Sequence, residues 1–167
     1  MKYALIAGLL FTSVPHIAAA QDAYDTGPTD RCLSSAISLV DQRDCVGQAA
    51  ESCADLSLGG FTTRSMMRCL GHELAYFDDM LNVAYADVRD KARDLDKAAN
   101  GTSGDDTSMV DRLLKMQRAW ITYRDATCAY EARQYDGGTI GQLIHVDCLT
   151  ELTADQAFRL QANVLGL

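Results

Sequence analysis

The sequence predicts an all-α fold, a disulfide-stapled helical bundle built around a long antiparallel helical hairpin. Two long stretches, residues 62–99 and 109–131, carry apolar residues at intervals of three or four, which is the period of one helix face. No stretch shows the strict alternation of apolar and polar residues that marks a half-buried strand. The chain has six cysteines, an even number that indicates disulfides between helices in an exported protein.

The amino-terminal residues 1–20 are interpreted as a secretory signal peptide. Lys2 precedes the short uncharged apolar run 3–11, and the small residues ending at Ala20 offer a cleavage site before Gln21. No later segment approaches the roughly 18 uninterrupted apolar residues that indicate a membrane span. We therefore expect a mature chain that has no membrane span and is periplasmic or secreted.

The mature chain is expected to be strongly acidic. The whole sequence has a formal net charge of −8, and the signal peptide removes Lys2 and no acidic residue. This charge argues against nucleic acid and anionic membranes as partners and is compatible with a basic protein partner; solubility alone is the alternative explanation. Cys69 and His72 have a spacing that zinc could use, but the Cys-x-x-Cys pairs of common zinc motifs are absent, so no metal or cofactor is expected.

The part of the mature chain that precedes the long helices is predicted to hold a leader and two short helices. Residues 21–29 contain a Gly-Pro pair and few apolar side chains, which predicts a flexible leader, and residues 30–167 are predicted to form a single helical domain. A first helix should run over 31–41 and a second over about 45–56. The expected inner face of the first helix consists of Leu33, Ala36, Ile37 and Val40.

Two long helices are predicted to form the hairpin. The first should cover 62–99, and the polar, glycine-containing residues 100–107 form the clearest loop of the chain. The second should cover 109–135 and pack antiparallel to the first. After a Gly-Gly turn, a shorter helical piece is expected over 140–149, followed by a final helix over 153–164 that Thr153 caps.

Disulfide partners can be proposed from the predicted turns, because helices that fold back bring together residues equidistant from the turn. One pair of cysteines lies ten residues on either side of Gly138, a second lies eight residues on either side of Phe61, and two cysteines remain for each other. Six cysteines allow fifteen full pairings, and equidistance is necessary but not sufficient. The proposed disulfides are Cys32–Cys45, Cys53–Cys69 and Cys128–Cys148.

The helix over 109–131 is amphipathic, and its apolar face carries polar groups in its middle. Arg124 lies on that face near Trp120, the single tryptophan. A buried guanidinium without a partner would cost several kcal/mol, so a carboxylate should pair with it. A structural ion pair is favoured, and a binding or catalytic arginine is the alternative. The residues expected on this face are Met109, Val110, Leu113, Met116, Gln117, Trp120, Arg124, Thr127, Cys128 and Glu131.

Three carboxylates are candidates for the partner of Arg124. Reflection about the loop between the long helices brings Arg124 level with a position within one turn of Asp78. Glu73 lies on the better face but about two turns away, and Glu131 lies two turns along the same helix. We rank Asp78 first, then Glu73 and then Glu131. Loss of a deeply buried partner should cost roughly 3–5 kcal/mol.

Five short motifs occur in order, and with them the chain resembles the lysozyme inhibitor LprI-like family of small exported bacterial proteins. The resemblance covers about residues 53–160, and Cys32 and Cys45 lie outside it in what looks like an added amino-terminal element. The motifs are Cys69-Leu70-x-x-Glu73, Asp79-x-Leu81-Asn82-x-x-Tyr85, Gln117-Arg118-Ala119-Trp120-x-x-Tyr123-Arg124-Asp125-x-x-Cys128, Gly137-Gly138-x-Ile140 and Cys148-Leu149-x-x-Leu152-Thr153.

The resemblance implies an exported protein that binds and blocks a basic lysozyme. An acidic inhibitor would gain association rate by electrostatic steering and would be sensitive to salt. The 100–107 loop and the 135–140 turn are the candidate elements for contact with the lysozyme cleft. The alternative is a periplasmic interaction or structural module that does not inhibit lysozyme.

The motif residues are expected to be mainly structural, and no catalytic residue is assigned. His72 adjoins Glu73, and His145 and Asp147 are two residues apart, but neither pair is accompanied by a nucleophile motif, so the protein is not expected to be an enzyme. The motif residues singled out are Glu73, Asp79, Leu81, Asn82, Tyr85, Gln117, Trp120, Arg124, Asp125, Gly137, Gly138 and Thr153.

Overall fold

A computed structural model describes residues 24–99, 108–135 and 138–165. The predicted signal peptide 1–20, the 100–107 loop and residues 136–137 of the predicted 135–140 turn, which include Gly137, lie outside these residues. The described residues form helices joined by turns and contain no strand, which confirms the all-α prediction. The helices are α1 (Gly27–Ser35), α2 (Leu39–Arg43), α3 (Gln48–Leu56), α4 (Thr63–Ala98), α5 (Met109–Arg133) and α6 (Thr139–Leu165).

Three long helices form the body of the fold, and α6 is the main neighbour of α4. Early residues of α4 meet early residues of α6, as in the Thr150 hydroxyl near the Leu70 carbonyl, and late residues meet late ones, as in Lys91 Nζ donating to the Asn163 carbonyl. These two helices therefore run parallel. The intervening helix α5 runs antiparallel to both, so α4 and α5 do form the predicted antiparallel hairpin.

Local sequence explains where α4 and α5 begin. Thr62 and Ser65 form a reciprocal capping box at the start of α4, in which each side chain bonds the other residue's backbone N–H. At the start of α5, the Ser108 hydroxyl accepts from the Asp111 N–H. Asp96, near the end of α4, accepts from the Met109 N–H at 2.7 Å. Residues of α4 thus fix the start of α5 across the hairpin.

The core lies along α4 and α6. Phe77 packs edge to face against Phe158, with ring centroids 5.8 Å apart, beside Ala154. Further along, Leu81 and Ala84 of α4 pack against small and branched residues of α6. Parallel packing of α4 on α6 therefore buries most of the apolar stripe that the sequence shows in α4.

Disulfides join the helices at three places. They link Cys32 to Cys45, Cys53 to Cys69 and Cys128 to Cys148, the pairs that the turn positions indicate. The first fixes α1 to the turn before α3, the second joins α3 to α4, and the third joins α5 to α6. Every long helix therefore has a covalent link to another helix.

The amino-terminal prediction is wrong in two respects. The first helix begins at Gly27, inside the segment assigned to a flexible leader, because Pro28 occupies the first turn, where its fixed φ suits a helix. The helix also ends at Ser35, so Ile37 and Val40 do not form an inner face, and Ile37 is 96% exposed. Ser38 instead caps the separate short helix α2.

The final helix is longer than predicted, and α5 is less buried. Residues 140–149 and 153–164 belong to one helix, in which Thr153 is a buried mid-helix residue and not a cap. The Thr150 hydroxyl donates to the Val146 carbonyl within α6, whereas the Thr153 hydroxyl accepts from Arg124 of α5. In α5 only Leu113 and Cys128 are buried among the described residues, because α6 takes the face of α4 assigned to α5.

None of the helices in the described part of the chain combines the length and the apolar composition that a membrane crossing requires.

Candidate functional site

Four motif residues of the middle of α4 and α5 lie at the contact between the long helices, whereas Asp79 and Asn82 are exposed. Leu81 is buried, and Tyr85 and Trp120 pack against the cluster it forms with α6. Gln117 on α5 accepts a hydrogen bond of 3.0 Å from the Gln156 side chain on α6. These residues therefore hold the three helices in register, which is the structural role that the sequence predicts for most of them.

Arg124 is bound by residues of α5 and α6. Its Nε and Nη2 atoms each lie 2.9 Å from Asp125 Oδ1, and Nη1 donates to the Thr153 hydroxyl at 3.3 Å. The guanidinium carbon lies 5.0 Å from the centre of the Trp120 ring, which is cation–π geometry. The side chain is 19% exposed and is therefore only partly buried.

The predicted carboxylate partners of Arg124 are wrong. Asp78 accepts from Asn82 on the exposed side of α4, Glu73 is buried against α3, and Glu131 faces carboxylates of α6. Reflection about the hairpin loop placed Arg124 opposite α4, whereas Arg124 faces Thr153 of α6. The carboxylate that pairs with the guanidinium is that of Asp125, the next residue in the sequence.

Glu73 acts as a tertiary cap of α3. Gly47, which precedes α3, has no side chain for capping, and its φ of 93° suits glycine. Glu73 Oε2 instead accepts from the Ala50 N–H at 3.0 Å, and Oε1 accepts from the Thr29 hydroxyl at 2.6 Å. Burial raises the pKa of Glu73, although these hydrogen bonds act in the opposite direction. Its role is structural.

Three carboxylates from two helices line one cavity at the end of the fold nearest the α5–α6 turn. Glu131 projects from α5, and Asp147 and Glu151 project from α6, around a cavity of about 350 Å³ that Tyr135 and Ile144 also line. The third disulfide brings these residues together, because they lie next to or three residues from Cys128 and Cys148. We call Glu131, Asp147 and Glu151 the acidic cluster.

The charges of the acidic cluster repel one another. Burial and then the charge of Glu131 raise the pKa of Asp147, and burial followed by the charges of Asp147 and Glu131 raises the pKa of Glu151. The charged neighbours that shift these two groups are all carboxylates. A cationic group that entered the cavity would relieve this repulsion, so the cluster suits a Lys or Arg side chain of a partner.

The predicted 135–140 turn borders the same end of the fold. Tyr135 and Gly138 line a neighbouring cavity of about 420 Å³ together with Gly141 and His145. A Cβ atom at Gly141 would lie 3.0 Å from the Ala132 carbonyl oxygen, so glycine lets α6 start close to the end of α5. The described residues of this predicted contact element, Tyr135 and 138–140, therefore lie at the end of the fold that carries the acidic cluster.

The two members of each histidine–carboxylate pair noted in the sequence have different surroundings. The His72 ring stacks on Tyr24, while the adjacent Glu73 binds Thr29 and the backbone of α3. His145 and Asp147 line different cavities. Cys69 is in a disulfide, and the described residues contain no group of three or more His, Cys, Asp or Glu that could hold a metal ion.

Sequence reasoning missed Glu151 and the grouping of the acidic cluster. The signal was present, because acidic residues flank both members of the proposed Cys128–Cys148 disulfide. The prediction instead treated Glu131 as a partner of Arg124, which removed it from consideration as a surface group.

Comparison with known proteins identifies a family and relatives without an assigned activity. A family model described as lysozyme inhibitor LprI matches residues 53–160. An uncharacterised 17.7 kDa protein in the puhA 5′ region of Rhodobacter capsulatus is 26% identical over 143 residues, which cover 83% of this chain and 85% of that protein. Uncharacterised protein R02472 of Rhizobium meliloti (strain 1021) is 29% identical over 93 residues, 56% of this chain and 67% of that protein. No solved structure gives a significant match.

Proposed function

This chain belongs to the lysozyme inhibitor LprI family, and on that premise we propose that it is an exported inhibitor that binds and blocks a basic lysozyme. The three disulfides support export, because disulfides form and persist in oxidising compartments. Residues 1–20 also support export, because their sequence resembles a secretory signal peptide. Cleavage near Ala20 would release a periplasmic or secreted chain.

The acidic cluster is the main reason for the contact surface that we propose. It holds like charges together at a cost that a basic protein surface would offset. The net charge of −8 would add long-range attraction for a basic lysozyme. The 135–140 turn borders the cluster, so we propose this end of the fold, and not the 100–107 loop, as the inhibitory end.

A lysis assay with purified protein in excess over a basic lysozyme tests the proposal. We expect the protein to slow lysis of bacterial cells strongly at low salt and less at moderate salt, because ionic screening weakens steering. Unchanged lysis rates at both salt concentrations would contradict inhibition and would leave the alternative, an interaction module that does not inhibit lysozyme.

Two charge variants locate the contact. Asp147→Asn/Glu151→Gln removes two charges of the acidic cluster, and we expect inhibition to weaken by about tenfold or more, as for the loss of interface charge pairs. Asp87→Asn/Asp94→Asn removes two charges from exposed positions of α4 and should inhibit like the natural protein. Equal weakening in both variants would show that net charge, and not this cluster, determines binding.

A further inference from the structure

A second concave surface adjoins the acidic cluster and is mainly apolar. A cavity of about 520 Å³ lies between α3, the start of α4 and the first turns of α6. Leu70 forms a buried part of it, Leu143 and Ile144 contribute from α6, and Val46 and Met66 contribute from the other side. Phe61 stands at its edge and is 59% exposed. We call this cavity the apolar groove.

The rim of the apolar groove is acidic. Asp44 and Glu51 stand on the side of α3, and Asp147 stands on the side of α6. Ile144 and Asp147 also line the cavity of the acidic cluster, so the two concave surfaces are continuous. A ligand of the groove would therefore meet apolar side chains in the middle and negative charge around them.

One wall of the apolar groove lies outside the residues that match the family. Residues 44–51 precede the matched segment 53–160, and they form the side that carries Asp44 and Glu51. This wall is held firmly, because Cys45 is bonded to Cys32 and the Ala50 N–H is bound to Glu73 of α4. The groove is thus a preformed feature that the residues before the family match help to build.

We propose that the apolar groove binds a short basic amphipathic segment of the partner protein. One or two apolar side chains of that segment would pack between Phe61 and Ile144, and flanking Lys or Arg side chains would meet Glu51 and Asp147. The size of the groove falls in the range of small binding cavities, about 300–1,000 Å³, and so suits a few side chains. Because the rim is acidic, we expect the bound segment to be basic.

A second copy of the chain fits the groove less well. The whole sequence has a net charge of −8, and the predicted signal peptide removes Lys2, so a second mature copy would bring like charge to an acidic rim. The proposal rests on the proposed function in one respect: in a complex with lysozyme, the groove would extend the contact that begins at the acidic cluster. The groove can nevertheless be tested without lysozyme.

The first experiment titrates the full mature chain with two labelled synthetic peptides of equal apolar pattern. One is a short amphipathic helix of Leu and Lys, and the other replaces each Lys by Glu. We expect fluorescence anisotropy to show binding of the Lys peptide and at least about tenfold weaker binding of the Glu peptide. Equal binding of both peptides, or binding of neither, would overturn the proposal.

Variants then locate the peptide. Phe61→Ser and Glu51→Gln should each weaken binding of the Lys peptide by about fivefold or more, as for contact residues of small interfaces. The matched controls are Ile37→Ser, at a site 96% exposed outside the groove, and Asp87→Asn, on the exposed side of α4. Equal effects of groove and control variants would overturn the proposal, and thermal melting of each variant verifies that it is folded.

Titration with a basic lysozyme separates this proposal from the proposed function. If Asp147→Asn/Glu151→Gln weakens lysozyme binding and Phe61→Ser and Glu51→Gln do not, the inhibitor proposal stands and the groove is not part of the contact. If neither the natural protein nor any variant binds lysozyme, the inhibitor proposal fails. The peptide titration alone then tests whether the groove binds a basic segment. Weakening by both sets of variants supports both.

Discussion

The Thr29 hydroxyl donates a hydrogen bond of 2.6 Å to the buried carboxylate of Glu73, and this bond joins residues 44 positions apart. Glu73 belongs to the segment that matches the family, whereas Thr29 precedes it. The same hydroxyl accepts from the Ala49 N–H at 3.1 Å, next to the Ala50 N–H that Glu73 binds. The amino-terminal helices are therefore attached to the three long helices through a buried polar network as well as through the Cys53–Cys69 disulfide.

Replacement of Glu73 should destabilise the protein, and the loss should be larger when more of its hydrogen-bond donors lose their acceptor. Glu73→Ala leaves the Ala50 N–H unsatisfied and leaves the Thr29 hydroxyl only the distant Cys45 carbonyl as an acceptor, and we expect a loss of about 2–4 kcal/mol in the free energy of unfolding. Glu73→Gln keeps one oxygen acceptor and should lose less. Urea denaturation measures both, with Glu51→Ala as the exposed control. A loss no larger than that of the control would show that Glu73 does not cap α3.

The acidic cluster should make stability depend on pH. The pKa values of Asp147 and Glu151 are raised in the folded state, so between the ordinary values of about 4 and the raised values the folded chain binds more protons than the unfolded chain. The contribution of these groups to the free energy of unfolding therefore falls as pH rises through that window. Asp147→Asn/Glu151→Gln should remove this component.

The measurement is a comparison of urea denaturation between pH 4 and pH 7. Stability of the variant relative to the natural protein should increase as pH rises. A relative stability that stays constant or decreases would contradict mutual repulsion in the cluster. Such a result would also weaken the case for a basic partner at this surface.

Arg124 should contribute less to stability than a deeply buried ion pair does. Its partner Asp125 has a side chain that is 57% exposed, so removal of Arg124 leaves no buried carboxylate alone. We expect Arg124→Ala to cost about 1–2 kcal/mol, mainly through lost packing on Trp120, and Arg124→Met to cost less because its chain still covers the ring. Thermal or urea unfolding decides. A loss of Arg124→Ala as large as the roughly 3–5 kcal/mol expected for a deeply buried pair would contradict this assignment.

Removal of the third disulfide should loosen α5 selectively. In α5 only Leu113 and Cys128 are buried among the described residues. The disulfide to Cys148 should therefore contribute much of the stability with which α5 is held to α6. We expect Cys128→Ser/Cys148→Ser to cost about 2–4 kcal/mol and to speed amide hydrogen exchange in α5 more than in α4. Cys32→Ser/Cys45→Ser is the control, and it should affect exchange in α1 instead. Equally faster amide exchange in all helices would contradict the expectation that the third disulfide stabilises mainly α5.

Several elements of the fold were predictable because the local signals were strong. The start of α4 carries Thr62 and Ser65, which both cap, and the helix then repeats its apolar residues without Gly or Pro apart from Gly71. The cysteine positions relative to the turns indicated the same pairs that the structure contains. In these cases the residues that determine the structure are close together in the sequence.

Other features could not be predicted because they depend on contacts between distant segments. A Thr such as Thr153 is typical of a helix start, but here α6 continues through it, and its hydroxyl accepts from Arg124 of a distant segment. The sequence does not show that α6, and not α5, takes the main face of α4. The partner of Arg124 follows from that choice.

The tertiary cap at Glu73 has a consequence for shortened versions of the chain. A polypeptide that starts at Cys53 would retain every residue matched to the family, but it would lack Thr29 and the first turn of α3 that the carboxylate binds. Water would then replace those donors, and the side chain would ionise as an ordinary surface glutamate. In the full chain, the amino-terminal helices therefore keep this carboxylate out of solvent.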